Sequence, residues 1–177
     1  KQISSNQFAC STAGNYIHIF DITTYAKVKT LSGHTTDVMY STPLSNGLLA
    51  SCSLDQAVRI WNVSTSTTVT QFSPFPNEIR RLKQLSDGSV VICGNSSSVF
   101  KWDLNVLQEV YFWDNIFSSG ECYDMLVYND IILLASNQAY VKLINSTTNV
   151  HYLGFSTARY DDIVYSLELV KSNIYSN

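Results

Sequence analysis

The sequence has little of what marks the special classes of protein. Seven glycines and three prolines among 177 residues leave no room for a collagen-like or proline-rich chain. The longest uninterrupted apolar run, 131–135, is far short of the roughly 20 residues that a membrane helix needs. The sequence as given opens without a charged-then-apolar leader, so no secretory signal is expected in it. Charged residues are only 14 %, with 11 Lys and Arg against 14 Asp and Glu, and no basic cluster. A duplex-binding domain carries a basic footprint, so nucleic acid is not an expected partner, nor is a membrane. Cysteine is sparse too. The four, at 10, 52, 93 and 122, contain no C-x-x-C pair and read as free thiols in a reducing compartment. That reading places the protein inside the cell, in the cytoplasm. Sequons at Asn62, Asn95 and Asn145 are chance matches in a chain rich in Ser, Thr and Asn.

What the sequence does have is apolar and aromatic content, 45 % and 12 %, enough to bury a core and to exclude disorder. It also repeats. Four segments align: YIHIFDI at 16–22, AVRIWNV at 57–63, SVFKWDL at 98–104 and YVKLINS at 140–146. The large apolar residue before the closing Asp or Asn is Phe20, Trp61, Trp102 and Ile144, at spacings of 41, 41 and 42. Each segment alternates apolar and polar residues, the period of a strand. A matching strand precedes each, at 7–11, 48–53, 89–94 and 131–136, in which Cys10, Cys52 and Cys93 read as one repeat-equivalent packing position and Ala135 as the fourth. Further strands are expected at 38–44, 79–85 and 125–129, and more exposed ones at 26–31, 67–72, 109–113 and 150–155. Ser45-Asn46-Gly47, Ser86-Asp87-Gly88 and Asn129-Asp130 supply turn residues that tolerate positive φ. The unit is a four-stranded antiparallel meander of about 41 residues.

This period and strand pattern resemble those of WD-repeat β-propellers. The second unit carries the motif almost whole: Gly33-His34, Asp37, then LLASCSLDQAVRIWN ending in Trp61-Asn62. Trp102-Asp103 and Phe20-Asp21 repeat its ending, and Ile144-Asn145 is degenerate. The resemblance implies an all-β propeller of four-stranded antiparallel blades, partial at 1–31, full at 33–72, 74–113 and 121–155, and partial again at 160–177. About four blades suit an arc of a larger ring, completed by further sequence, a partner or a second copy. The alternative is a closed four-bladed ring. The resemblance also implies a buried hydrogen-bonded network of His34, Asp55, Ser53 (Ser51 as second choice) and Trp61. This is a stabiliser of the unit and not a hydrolase triad. The third and fourth units lack the His, so their networks are expected to be incomplete or rebuilt.

Chemistry on a propeller sits in its loops. Asp37, Glu78, Asp124 and Asp162 each precede a first strand and read as repeat-equivalent, an arc of carboxylates with Tyr40, Arg80, Tyr123 and Tyr160 nearby. Such a rim suits a basic peptide or partner subunit. The insertion DNIFSSGE at 114–121 offers Ile116 and Phe117, either as an exposed anchor or as a tuck over the blade edge. No phosphate-binding glycine loop or H-E-x-x-H occurs, and His18, His34 and His151 lack ligand spacing, so no enzyme, metal or cofactor is expected. The expected role is a non-catalytic protein-interaction scaffold. The alternative is a structural building block of a permanent assembly, while a substrate adaptor of a ubiquitin-type complex rests on the resemblance alone.

Overall fold

The structure, a computed structural model, describes residues 1–73, 75–117, 121–136, 140–156 and 167. Among these, fifteen strands form four antiparallel sheets with no helix. The first sheet holds β1 (Gln7–Ser11), β2 (Tyr16–Asp21) and β3 (Ala26–Ser32). The second holds β4 (Val38–Pro43), β5 (Leu49–Ser53), β6 (Val58–Asn62) and β7 (Thr67–Phe72). The third holds β8 (Ile79–Gln84), β9 (Val90–Gly94), β10 (Val99–Asp103) and β11 (Gln108–Trp113). The fourth holds β12 (Cys122–Tyr128), β13 (Ile131–Ser136), β14 (Tyr140–Asn145) and β15 (His151–Ser156). Each is an up-and-down meander, as the repeat predicts. In the first sheet the inner strand is reduced to a bridge between Gln2 and Phe8, where the Ala9 amide donates to the Lys1 carbonyl at 2.7 Å.

Local chemistry sets the turns. Gly47, Gly88 and Asn129 adopt φ of +81°, +86° and +52° at the three hairpins where the sequence places turn residues. The Asp or Asn closing each marker segment has one job in all four sheets. Asp21, Asn62, Asp103 and Asn145 each accept, through Oδ1, the amides two and three residues further on. Asn145 does so at 3.0 and 2.9 Å, so the degenerate fourth unit keeps this turn intact.

Side chains of successive strand residues point to opposite faces, so a sheet between two neighbours is apolar on both. In β5, Leu49 packs with Trp61 and Val38 against Ile17, Ile19 and Leu31 of the first sheet. Ala50 and Cys52 face the third sheet's Ile79, Leu82, Val90 and Ile92. In β9 the roles recur, with Val91 and Cys93 facing Met125, Ile132 and Leu134 of the fourth sheet. Each such aliphatic side chain, fully buried, contributes about 1.5–3 kcal/mol, and none can do so without the neighbouring sheet. Among the described residues packing runs in chain order, β1 on β4, β4 and β5 on β8, and β8 and β9 on β12, as an open series of blades rather than a closed four-bladed ring. The expected partial blade at 160–177 lies outside the described residues except for Leu167.

Two expectations about cysteine need correction. Phe8 pairs with Phe20 in the first sheet, and Leu49 with Trp61 in the second. Cys10 is therefore equivalent to Ser51, not Cys52, and a one-residue slip reverses the face. Cys10 is exposed and Cys52 buried. Nor are all four thiols free, because Cys93 and Cys122 form a disulfide with Cα atoms 5.9 Å apart. Cys93 points from β9 toward the fourth sheet, whose inner strand starts at Cys122. Cysteines of separate units meet where the units stack.

Without reductant, native protein should expose one rapidly labelled thiol, Cys10. Cys52, whose burial pushes its thiol far above the ordinary range, should label only on unfolding. Peptide mapping of unreduced protein should return Cys93 and Cys122 cross-linked. Four thiols in fresh, denatured, unreduced protein would contradict this.

Candidate functional site

The motif-bearing second unit places His34 just after β3, 3 % exposed. The backbone comes close here because Gly33 has no side chain, and a Cβ on it would lie 3.1 Å from both Arg59 Nη1 and Trp61 Cη2. His34 Nδ1 lies 2.8 Å from Asp55 Oδ2 and Nε2 lies 2.8 Å from Ser51 Oγ, while Trp61 Nε1–H donates to the same Oγ at 2.8 Å. One proton arrangement satisfies every atom. The carboxylate only accepts, so Nδ1–H donates to Asp55. Ser51 accepts the indole N–H and donates its own proton to Nε2. His34 is thus neutral. Burial depresses its pKa, as does Arg59, against the opposing pull of Asp55. Burial raises the Asp55 carboxyl, but the Thr35 amide and His34 outweigh it and hold the pKa below the ordinary value.

The serine of the network is Ser51 and not the expected Ser53. Both share a face of β5, so alternation does not separate them. Register does: Trp61 pairs with Leu49, and Ser51 is the nearer of the two to that pair. Ser53 Oγ instead accepts the Asp55 amide at 3.1 Å and donates to the Thr36 carbonyl at 3.3 Å. The geometry offers no nucleophile, since Ser51 and His34 are buried under the indole.

In the other units the network is rebuilt from apolar groups. Phe75 holds the place of His34, its amide donating to the Gln56 carbonyl at 3.0 Å, and Ile116 holds the next, donating to the Ser97 carbonyl at 2.9 Å. The ring geometry is retained: His34 and Trp61 centroids lie 6.0 Å apart at 61°, Phe75 and Trp102 5.5 Å apart at 59°. Ile92 and then Leu134 stand where Ser51 is. The cost falls on the buried Trp102 Nε1, which has no hydrogen-bond partner. Ile116 and Phe117 are each 1 % exposed in the core between the third and fourth sheets. They are the tuck and not a surface anchor.

The acidic rim also differs from expectation. Val38 and Ile79 open the first two full inner strands, and the matching residue of the fourth sheet is Cys122. Asp37 and Glu78 are therefore matched by Glu121, and Asp124 lies further inside. Arg80 bridges the rim, with Nη2 3.2 Å from Glu121 and 3.8 Å from Glu78. Asp37 is half-buried, as are Tyr40 and Tyr123. Asp124 accepts from Arg81 Nε at 3.0 Å and from the Leu167 amide at 2.9 Å. Although burial pushes the Asp124 carboxyl up, amide bonds from Leu167 and Met125 and the Arg81 charge hold it low. Tyr160 and Asp162 lie outside the described residues. Sequence reasoning missed Glu121, and the spacing of 43 from Glu78, produced by the 114–121 insertion, is the signal that would have found it.

Ser51→Ala leaves the indole N–H and His34 Nε2 unpaired and should cost about 1–3 kcal/mol, more than Ser53→Ala at about 1 kcal/mol, by urea denaturation. Equal losses would reject the assignment. The pH dependence has a definite sign. His34, neutral when folded and with its pKa below the unfolded 6.5, contributes fully above that pH. Its contribution falls away as pH drops from there, because the unfolded chain takes the proton first. The Asp55 share is lost lower, as pH falls below 3.8 and through its depressed value. Denaturant midpoints should therefore fall between pH 7.5 and 5, and His34→Phe should flatten that slope.

Comparison with known proteins agrees with this geometry. Residues 25–62, which contain the whole network, match the family model described as WD domain, G-beta repeat. Over 96 residues, 54 % of this chain, the sequence is 31 % identical to E3 ubiquitin-protein ligase COP1 of Arabidopsis thaliana and covers 14 % of it. It is 30 % identical over 96 residues to E3 ubiquitin-protein ligase COP1 of Pisum sativum, with the same 54 % and 14 % coverage. The matched part is thus a small share of these relatives' length.

Proposed function

We propose that this chain, a WD-repeat protein whose unit recurs in four β-propeller blades, is a non-catalytic scaffold that binds a peptide or partner subunit through the loop end of its inner strands. WD repeats in general mediate protein–protein interaction, and this end has the right chemistry for it. Asp37, Glu78 and Glu121, one from each full blade, stand at the same place just before the inner strands, with Arg80 joining Glu78 to Glu121 and Tyr123 next along the strand, and that repeated placement carries the reading. Carboxylates steer a partner segment bearing Lys or Arg, while Tyr123 and Arg80 supply contact area. The curated relatives are named as ubiquitin ligases. On this reading, presenting a protein partner within such an assembly is a role the propeller part can serve.

One observation favours a second reading, a building block of a larger permanent assembly. The outer face of the first sheet exposes Phe8, Tyr16 and Phe20 at 38 %, 42 % and 36 %. The equivalents of Phe8 and Phe20 in the second sheet, Leu49 and Trp61, are 1 % exposed. Among the described residues no sheet covers this blade-stacking face, and a further blade would.

The two readings separate by mutation. Asp37→Lys should leave circular dichroism unchanged and reduce recovery of a partner captured by the wild type about tenfold, more so at low salt. Undiminished recovery, together with loss of assembly mass by light scattering in Phe20→Ser, would transfer the conclusion to the building block.

A further inference from the structure

A lysine-to-turn contact recurs between neighbouring blades. Lys29 of β3 donates from Nζ to the carbonyls of Val63 at 2.8 Å and Ser64 at 2.6 Å, in the turn between β6 and β7. Lys101 of β10 donates to the Ser146 carbonyl at 3.3 Å, in the turn between β14 and β15. Val63 and Ser146 are equivalent, since each follows the Asn whose Oδ1 closes its turn. The first contact thus ties the first blade to the second, and the other ties the third to the fourth. Their charges are handled differently. Lys101 also pairs with Asp87, 2.7 Å away in the β8–β9 hairpin of its own blade. That hairpin closes from the Leu85 amide to the Ser89 carbonyl at 2.8 Å, and the first blade repeats it from Ile3 to Gln7 at 2.9 Å. Ser5 therefore stands where Asp87 does, and it is exposed. Among the described residues no ion pair includes Lys29. An open cleft of about 270 Å³ lies at this junction, lined by Lys29, by its two carbonyl partners Val63 and Ser64, and by Ile3, Leu44 and Leu48.

We propose that this cleft holds the carboxy-terminus of a partner protein whose last residue is apolar. The molecule itself shows which anion an ammonium takes at such a junction, because Asp87 supplies a carboxylate to Lys101. Two of the three N–H bonds of Lys29 serve carbonyls, which leaves one for a further acceptor. A carboxylate makes that a charge-assisted bond. The aliphatic lining from Ile3, Leu44, Leu48 and Val63 calls for an apolar side chain beside the carboxylate, and a C-terminal residue carries both on one Cα. The volume is just under the roughly 300–1,000 Å³ of ordinary small-ligand sites, which suits a chain end better than a passing segment. The site is separate from the acidic rim. Asp37 precedes β4, whereas the cleft adjoins the far end of that strand at Pro43. Either reading can fail while the other stands.

The test is titration with N-acetyl-leucine at constant ionic strength, following the methyl resonances of Leu44, Leu48 and Val63. Wild type should show saturable shifts with a dissociation constant on the order of 1 mM or tighter. N-acetyl-leucinamide, which lacks the charge, should bind at least about tenfold more weakly. Lys29→Met should weaken N-acetyl-leucine by a similar factor, while Lys27→Met, exposed on the same strand, should not. If Lys29→Met loses its native circular dichroism, Ser5→Asp decides the matter. That substitution keeps Lys29, supplies the carboxylate that the third blade has in Asp87, and should weaken the probe about tenfold by occupying the ammonium. A short peptide ending in leucine with a free carboxylate should bind more tightly than N-acetyl-leucine, and its amidated twin should not. Equal or weaker binding by the free-carboxylate peptide would give the site to a small carboxylic acid and overturn the partner assignment. No saturable shift in wild type, or undiminished affinity in Ser5→Asp, would overturn the site itself.

Discussion

Everything in this molecule follows from the fact that a four-stranded sheet has two faces and one sheet cannot bury both. β5 and β9 are buried along their whole length, a composition that makes sense only when another sheet lies on either side. The cores between successive sheets are therefore not shared by the whole domain, and each belongs to one pair of neighbours. Stability is then a sum of unit and nearest-neighbour terms. The exposed aromatics of the first sheet show the same kind of face where no described sheet lies against it.

Within that constraint the units solve one packing problem in three ways. A ring or branched side chain after each outer strand must cover the end of the next sheet. In the second unit it is His34, which must bring Asp55, Ser51 and Trp61 with it, since a buried imidazole tolerates no open valence. In the third it is Phe75, at nearly the same angle to the indole. In the fourth, Ile116, Leu134 and Ile144 are all aliphatic and fully buried. Orientation and register are fixed by hydrogen bonds in the first case and by shape in the others. The polar version is the only one whose integrity depends on pH.

The alternation and the recurring Phe20, Trp61, Trp102 and Ile144 made the strands, the meander and the repeat legible, because period-2 burial is written directly into residue order. His34, Asp55 and Trp61 were legible through the motif. Ser51 was not. It and Ser53 lie on one face of β5, and only the pairing of Leu49 with Trp61 selects between them. The Cys93–Cys122 bond was hidden because it joins two units, and a repeat read along the chain says little about what meets across a stack. The rim was misaligned at one place, where the 114–121 insertion moved the fourth inner strand and disguised Glu121. Of the two readings of that insertion, exposed anchor or tuck, the second holds, and its Ile116 is the fourth unit's counterpart of His34.

The inner wall shows how one position can couple blades with different chemistry. Tyr40, Arg81 and Asp124 each follow the bulge in an inner strand and are repeat-equivalent. Arg81 reaches both ways, over the Tyr40 ring on one side and to the Asp124 carboxylate on the other, and Asp124 passes the contact to the Leu167 amide. An aromatic, a cation and an anion in register make a belt in which each member satisfies the next. The charge of such a belt would balance if it ended there. Lys83 and Lys1 add two more cations beside the Tyr40 ring, and among the described residues neither pairs with a carboxylate, so positive charge gathers there while Asp37, Glu78 and Glu121 stand at the strand starts. A chain with net charge −3 has no global need for that separation. It is a local arrangement, set by which side chains the inner strands place beside Tyr40 and not by the charge of the chain as a whole.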